Sequence, residues 1–361
     1  MRHEDLTKLR ANRKLTVRVT SVVNTVLRHH LSRLLNRENL SRGEAAELLD
    51  AMLADDASDA QIAAALVALA AKGETVEELA GMAEALRARA VKINSCHTSF
   101  IDTAGTGSSR AKTFNVSTAA AFVIAGAGLA VAKHGNRAAS SKSGSADVLT
   151  ALGVNVSALA TVTEDCLNEI GICFMFAPLY HGATARVAGI RRELGIHTTF
   201  NLLGPLSNPA GAPRQVIGVW RRDLVELLAN VAAALGSERV WVVHGEDGLD
   251  EITLAGKTFV AEACDGVVKT FTIAPRDFGL TESALDHLRG GDAEANAQII
   301  RDVLSGEPGD EARALIVINA AASLFVGGKA ETLTGAARLA EESIDSGAAR
   351  MKLEQLINAT N

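Results

Sequence analysis

The strongest constraint on this chain is an alternation that begins at Ser99. Short apolar runs at 100–102 (FID), 129–132 (LAVA), 172–177 (ICFMFA), 216–220 (VIGVW) and 239–244 (RVWVVH) are separated by glycine-rich loops and stretches of helical period. Parallel neighbours need a long crossover, which a helix supplies, so strand, loop, helix, strand in this order predicts a mostly parallel sheet with helices on its faces.

Upstream, residues 24–94 keep a helical period with three capping boxes: Ser41 with Glu44, Ser58 with Gln61, and Thr75 with Glu78. In each, the hydroxyl accepts from an unpaired N–H of the first turn and the acid or amide returns to the cap's own N–H. Gly73 stands where a left-handed residue ends the second of these helices. The expected fold is thus α/β, a small all-helical domain plus a larger α/β domain with a mostly parallel central sheet. Residues 1–23 read as a basic, flexible N-terminal extension and 24–94 as the helical domain. The α/β domain takes 95–180 and 201–361, and polar helices at about 181–200 rejoin the helical unit so that the site lies in the cleft between domains. The opening helix carries Leu31, Leu34 and Leu35 on one side, a core-type stripe.

With 361 residues and 48% hydrophobic content the chain has ample core. One tyrosine and two tryptophans exclude an aromatic stacking platform, and a net charge of -6 argues against broad binding to nucleic acid or an anionic membrane. The longest apolar run, 119–132, is too short to span a bilayer and contains Gly126 and Gly128. No secretory signal is evident. Cys96, Cys166, Cys173 and Cys264 have no metal-ligand spacing and fit a reducing, cytoplasmic compartment.

Four loops carry chemistry. DTAGTGSSRAKTFNVST, 102–118, follows the first strand: Gly105 and Gly107 let backbone approach a ligand, and Thr106, Ser108, Ser109, Thr113, Ser117 and Thr118 supply hydroxyls beside a helix N-terminus. It matches neither the Walker A pattern nor the full dinucleotide fingerprint. KHGNRAASSKSGSADVL, 133–149, is a polar loop after the second strand, gathering Lys133, His134, Arg137 and Lys142 with Asn136, Ser140, Ser141, Ser143 and Ser145. Such density at a strand's carboxyl end is the chemistry of an anion site. In 177–211, His181 and Arg191 lie ten residues apart, which would place them on similar faces of one helix. The Arg191 fork suits a carboxylate, Arg192 an exposed charge. Residues 203–211 (LGPLSNPAG) hold enough turn formers to predict a fixed loop lining the cleft. Finally, HGEDGLDEIT, 244–253, sets Asp250 beside Glu251, a pair suited to a hard cation that bridges to substrate phosphates.

The ordered set GTG…TFNVST, KHGNRAASSKSGSADVL, RRELG…TFNLLGPLSNPAG and GEDGLDE resembles the anthranilate phosphoribosyltransferases of tryptophan biosynthesis, from about Leu31 to the C-terminus. The resemblance implies Mg²⁺-dependent transfer of a phosphoribosyl group from phosphoribosyl pyrophosphate to the anthranilate amine, by a homodimer. It implies that Gly105, Ser108, Ser109, Thr113, Asn115, Val116, Ser117 and Thr118 hold the donor. Lys133, His134, Gly135, Asn136, Arg137, Ala138, Ala139, Ser140, Ser141 and Ser145 help them. Ser117, Asp250 and Glu251 match the magnesium ligands; Gly105, Asn136, His181 and Arg191 match the anthranilate contacts, with Arg191 on the carboxylate. No nucleophile is implied, and Asn136, His134 and Arg191 act as orienting groups.

Two departures stand out. The family usually reads Gly-Thr-Gly-Gly-Asp-Gly where this chain has Gly105, Thr106, Gly107, Ser108, Ser109 and Arg110, and usually has proline where this chain has Gly182. Arg110 is then expected to face phosphate in place of part of the lost metal contact. The alternatives are a pyrimidine nucleoside phosphorylase-like enzyme, which has a similar Lys…Ser-Ser-Lys loop but no use for Asp250 and Glu251, and a catalytically silent nucleic-acid-binding relative.

Overall fold

A hydroxyl-led capping box opens each of three successive helices. The computed structural model describes residues 24–107, 113–138, 142–285, 288–306 and 310–361. Asn24 caps α1 (Thr25–Leu35), and Ser41, Ser58 and Thr75 cap α2 (Arg42–Leu53), α3 (Asp59–Lys72) and α4 (Val76–Arg89), all three with reciprocal boxes. Gly73 ends α3 at φ +85°, a conformation that disfavours any side chain. On α1, Leu34 is buried and Leu31 half-buried, but Leu35 is exposed. The expected leucine stripe therefore splits, because the buried face runs through Leu27, His30 and Leu34, and Leu35 lies round the helix from it.

Beyond it come β1 (Phe100–Asp102), α5 (Val116–Gly126), β2 (Ala130–Gly135), α6 (Ser145–Leu152), α7 (Ala160–Asp165), β3 (Ile172–Phe176), α8 (Ala177–Tyr180), α9 (Ala185–Leu194) and α10 (Thr199–Leu206). Then follow β4 (Arg214–Gly218), α11 (Leu224–Ala234), β5 (Arg239–Gly245), β6 (Thr258–Cys264), β7 (Val267–Ile273), α12 (Ala293–Leu304), α13 (Asp310–Val326), α14 (Leu333–Asp345) and α15 (Ala348–Thr360). Among the described residues seven strands form one sheet in the order β3-β2-β1-β4-β5-β6-β7. Pairing is parallel from β3 to β5 and antiparallel for β6 and β7. The β6–β7 hairpin turns on Asp265 and Gly266, both at positive φ, the Asp-Gly pair that matches the twist of a tight hairpin.

Side-chain parity on the central strands feeds two cores. Val216, Trp241 and Val243 point to a cluster built with α5, α12, α13, α14 and α15, whereas Ile217, Val240 and Val242 point to the other face. There they join α11, α10 and the opening helices in one continuous apolar cluster containing Leu48, Leu66, Val187 and Leu203. Helices α9 and α10 pack on α2, α3 and α4.

Three local expectations are corrected. Residues 203–206 are helical: Thr198 and Asn201 form a capping box, Phe200, Leu202, Leu203 and Leu206 are buried, and Pro205 falls in the last turn, where α10 ends one residue later. His181 and Arg191 share no helix. His181 sits at φ −122°, ψ 49° between α8 and a 3₁₀ turn at Gly182–Thr184, so only Arg191 lies on α9. Lys133, His134 and Gly135 belong to β2 rather than to the loop after it, because β3 continues to pair with them, Gly135 opposite Phe176. No helix among the described residues is long and apolar enough to cross a membrane.

Candidate active site

The chain winds outward from β1 through β2 to β3, then returns to place β4 on the other side of β1. At such a reversal the loops leaving two neighbouring strands diverge and open a crevice at their carboxyl ends. Here they are stitched together. The Thr106 N–H and Oγ1 both donate to the Gly218 carbonyl, at 2.8 Å and 3.0 Å, joining the loop after β1 to the end of β4. A Cβ on Gly218 would stand 1.7 Å from the Asp250 carbonyl oxygen, so the loop after β5 rests directly on that glycine.

Lys133 is the hub. Its side chain crosses from β2 into the crevice, where Nζ donates to the Thr103 carbonyl (3.0 Å), to Thr103 Oγ1 (3.2 Å) and to Ser117 Oγ (3.3 Å). Burial pushes the ammonium pKa down, while Asp102 and Glu251 pull it back up. Glu251 lies at the start of α5, facing the Ser117 backbone N–H. Its carboxyl is pushed up to about 8 by burial and by the neighbouring Asp250, against the opposing pull of Lys133 and the Ser117 amide. A carboxylate so reluctant to ionise beside another acid is a site short of positive charge, and the donor set is oxygen throughout. That fits a divalent ion such as magnesium. Among the described residues no three His, Cys, Asp or Glu side chains converge, so such an ion must complete its shell from substrate oxygens and water.

Asp102 closes the base of the site. Its buried carboxylate accepts from the His134 N–H (3.2 Å) and from Asn208 Nδ2 (2.7 Å), and burial raises its pKa to about 6 despite the Lys133 charge. Asn208 also donates to the Ala132 carbonyl at 2.9 Å, tying the segment after α10 to β2.

A second group of side chains faces the same crevice from α8, α9 and α10. The His134 and His181 rings lie 5.2 Å apart. His134 Nδ1 meets the Gly204 carbonyl at 3.2 Å and must be the protonated nitrogen; among the described residues its buried Nε2 has no hydrogen-bond partner, and neither ring nitrogen of His181 has one. Burial, then the mutual repulsion with His181, holds His134 at about 3, and burial holds His181 at about 4, so both are neutral at pH 7. Unpartnered buried acceptors in a cleft are vacancies for a ligand's donors. Arg191 is fixed by Nε to Thr198 Oγ1 (3.1 Å) and by Nη2 to Asn201 Oδ1 (3.2 Å). Those bonds leave Nη1 and one Nη2 hydrogen for a carboxylate.

Of the remaining sequence-predicted residues, Gly105 lines the same small cavity as Ser117 and Glu251, with Thr103 and Gly218. Asn115, Val116, Ser117 and Thr118 form the start of α5; Val116 and Thr118 are buried, and Thr118 Oγ1 has no hydrogen-bond partner among the described residues. Thr113 bridges to Arg289. Asn136 is exposed, its carbonyl accepting from the Ala146 N–H and Ser145 Oγ. Arg137 pairs with Asp147 at 2.9 Å, and Asp147 also receives the Ala138 and Gly144 N–H groups, so this arginine braces its own loop. Gly135 passes so close to Ser145 that a Cβ would stand 2.2 Å from its hydroxyl. Arg192 and Lys142 are exposed. Ser108, Ser109, Arg110, Ala139, Ser140, Ser141 and the extension at 1–23 lie outside the described residues.

Residues 97–350 match the glycosyl transferase family a/b domain, and 28–90 the helical bundle domain of the same family. An anthranilate phosphoribosyltransferase of Moorella thermoacetica is 51% identical over 332 residues, covering 92% of this chain and 98% of that protein. Another from Anaeromyxobacter dehalogenans is 52% identical over 335 residues, covering 93% and 99%. The chain belongs to the anthranilate phosphoribosyltransferases. The crystal structure of the Thermus thermophilus enzyme superposes with a TM-score of 0.86 at 39% identity, covering 91% of this chain and 98% of that one. The Saccharomyces cerevisiae enzyme in complex with phosphoribosyl pyrophosphate and Mg gives 0.84 at 30%, covering 93% and 98%.

In this family member, sequence reasoning passed over the residues that hold the crevice from behind. Asp102 stands at the end of a strand and Asn208 in a turn-rich segment, where neither attracts notice. Asn319 left a signal. It is the lone amide in the apolar stretch LIVINAAASLF of α13, and it is 4% exposed.

Proposed function

We propose that the crevice between β1 and β4 binds phosphoribosyl pyrophosphate through the loop after β1, the start of α5 from Asn115, and the end of β2 from Lys133 with the loop that follows it, and that the neighbouring His134–His181–Arg191 group takes anthranilate. The reaction is transfer of the 5-phosphoribosyl group to the anthranilate amine, releasing pyrophosphate, with magnesium as cofactor. What carries the residue-level reading is the position of Glu251, a half-buried carboxyl beside Asp250, between Lys133 and the start of α5.

The chemistry follows from charge. Breaking the bond from ribose C1 to pyrophosphate leaves positive charge on the sugar and negative charge on the leaving group. Asp250, Glu251 and Ser117 would hold the magnesium ion, which when bound would neutralise charge on that leaving group. Lys133, tethered at three points, adds a fixed positive charge that needs no reorganisation as the bond breaks. On the acceptor side the Arg191 fork orients the carboxylate, and the unpartnered His134 Nε2 accepts a hydrogen bond from the amine. With its pKa held at about 3, His134 is a poor proton acceptor at neutral pH. The amine attacks with its own lone pair, and positioning carries much of the rate.

The helical domain is assigned to 24–94, with 181–200 packed against it, and the α/β domain to the rest. Exposed Val26 and Leu35 on α1 and Val67 on α3 support pairing of two copies through the helical domain, which sedimentation tests. Four free cysteines suit a cytoplasmic location.

The deciding experiment follows anthranilate fluorescence with phosphoribosyl pyrophosphate and magnesium, for wild type and Arg191→Ala. Wild type should consume anthranilate and stop on addition of EDTA. Metal-independent phosphorolysis of a pyrimidine nucleoside, or salt-sensitive nucleic-acid binding without turnover, would replace this reading.

A further inference from the structure

Asn115 stands immediately before α5, yet its side chain makes no cap bond to that helix. Its partner comes from 181 residues away. Asn296, 3% exposed on α12, donates through Nδ2 to Asn115 Oδ1 at 3.0 Å and accepts from the Gly291 N–H through Oδ1 at 2.8 Å. The Gly291 bond fixes which way the Asn296 amide faces. That in turn fixes Asn115 with its oxygen toward α12 and its Nδ2 toward the Ser143 carbonyl, 3.5 Å away in the second loop, while Ser143 Oγ lies 3.4 Å from Asn115 Oδ1.

The backbone agrees with the side chains. Arg289 forms an antiparallel bridge with Thr113, and a Cβ on Gly290 would stand 2.3 Å from the Thr113 carbonyl oxygen. The segment from Arg289 to Asn296 therefore presses on the loop leading into α5 at two points, one backbone and one side-chain. Both contacts fall on the end of the hydroxyl-rich loop, immediately before α5.

We propose that Asn296 is a positioning residue for the phosphoribosyl pyrophosphate site: without touching the ligand, it holds the Asn115 amide in the one orientation that ties both donor loops together. The inference rests on the reading of Asn115 to Thr118 as donor contacts. The acceptor group is held separately, His134 by Asp102 and the Gly204 carbonyl, Arg191 by Thr198 and Asn201, and His181 by its place after α8.

The test compares Asn296→Asp, Asn296→Ala and Asn115→Ala in the full-length protein. Asn296→Asp keeps shape and the bond from Gly291 but replaces the donor that faces Asn115 with an acceptor, forcing that amide to turn. Asn296→Ala removes both bonds without adding charge and serves if the carboxylate prevents folding. Calorimetric affinity for phosphoribosyl pyrophosphate with magnesium should weaken about tenfold in either variant, the value of one hydrogen bond to a positioned group. The KM for the donor should rise in step, while kcat and the KM for anthranilate stay within about twofold. A lowered melting temperature with unchanged donor affinity would make Asn296 a packing residue and overturn the proposal. If Asn115→Ala weakens the donor and the Asn296 variants do not, the inference alone fails. If Asn115→Ala leaves donor affinity unchanged, the reading of that loop fails and takes the inference with it.

Discussion

The Asn319 side chain grips the backbone of Ile252 on both edges: Oδ1 accepts the Ile252 N–H at 2.9 Å and Nδ2 donates to the Ile252 carbonyl at 2.9 Å. Nδ2 also reaches the Leu315 carbonyl within α13, so the amide cannot turn. Ile252 follows Glu251 directly, and Asn319 lines the same small cavity as Glu251 and Ser117. A helix on one face of the sheet thereby sets the height of the carboxylate pair.

Asn319→Leu should accordingly be costly. It leaves the buried N–H and C=O of Ile252 unsatisfied, at about 1–3 kcal/mol each, so urea unfolding should show a loss of roughly 2–5 kcal/mol. Folded variant should also need more magnesium for half-maximal turnover. A neutral effect on both would mean that the loop from Gly248 to Thr253 holds itself.

His181 predicts a pH dependence of stability. Its folded pKa of about 4 lies below the unfolded value of 6.5, so the unfolded chain binds the extra proton between those values. The stabilising contribution is complete above pH 6.5 and is lost as pH falls toward 4. At about 1.4 kcal/mol per unit the loss reaches up to about 3 kcal/mol. Asp102, raised to about 6, works in the opposite sense over the lower part of the same window, because the folded state then holds its proton more tightly. The difference between wild type and His181→Gln isolates the histidine. Chemical unfolding from pH 7.5 to 4 should show wild type losing more stability than the variant, and parallel curves would refute the assignment of a neutral buried ring.

Arg191→Lys separates charge from fork geometry. The lysine retains a positive charge but cannot both hold Thr198 and Asn201 and offer two parallel donors. The KM for anthranilate should rise on the order of tenfold or more, with the KM for phosphoribosyl pyrophosphate within about twofold. An equal rise in both would point to a general disturbance of α9 instead.

How legible the fold was depended on how local each determinant is. The capping boxes at Ser41, Ser58 and Thr75 and the parallel strands are written in contiguous residues; the boxes appear where the pattern placed them, and the strands do so with shifted ends, β4 at 214–218 for the run 216–220 and β2 reaching Gly135. The β6–β7 hairpin was equally local, in Asp265 and Gly266, and was overlooked because β7 is the exposed edge of the sheet and the buried β6 breaks its apolar run with Glu262. By contrast, the helix at 199–206 overrode its Pro205 and Gly204 because four apolar side chains found a core on α3 and α4 that no local window contains. The crevice shows the same division. Loop residues such as Lys133, Ser117 and Glu251 announce themselves by type and spacing. Asp102, Asn208 and Asn319 act through contacts 32, 106 and 67 residues away, and single buried amides carry no motif.

Gly218 tests how tightly the three loops must meet. It accepts both Thr106 bonds through its carbonyl, and its α-carbon lies against the Asp250 carbonyl where a methyl group would stand 1.7 Å away. The obstruction is backbone, not the end of a flexible side chain, so Gly218→Ala must displace either β4 or the loop bearing Asp250 and Glu251. A shift near 1 Å in that loop moves the proposed metal ligands relative to Lys133 and Ser117, and misplacement on that scale costs about 100-fold in rate. The variant should fold, since Ile217 and Val219 keep their core contacts, but lose roughly that factor in kcat/KM for phosphoribosyl pyrophosphate. Its magnesium requirement should move upward as well. Steady-state kinetics across a magnesium series, with circular dichroism to confirm folding, checks both; unaltered kinetics would show that the glycine serves the turn and not the site.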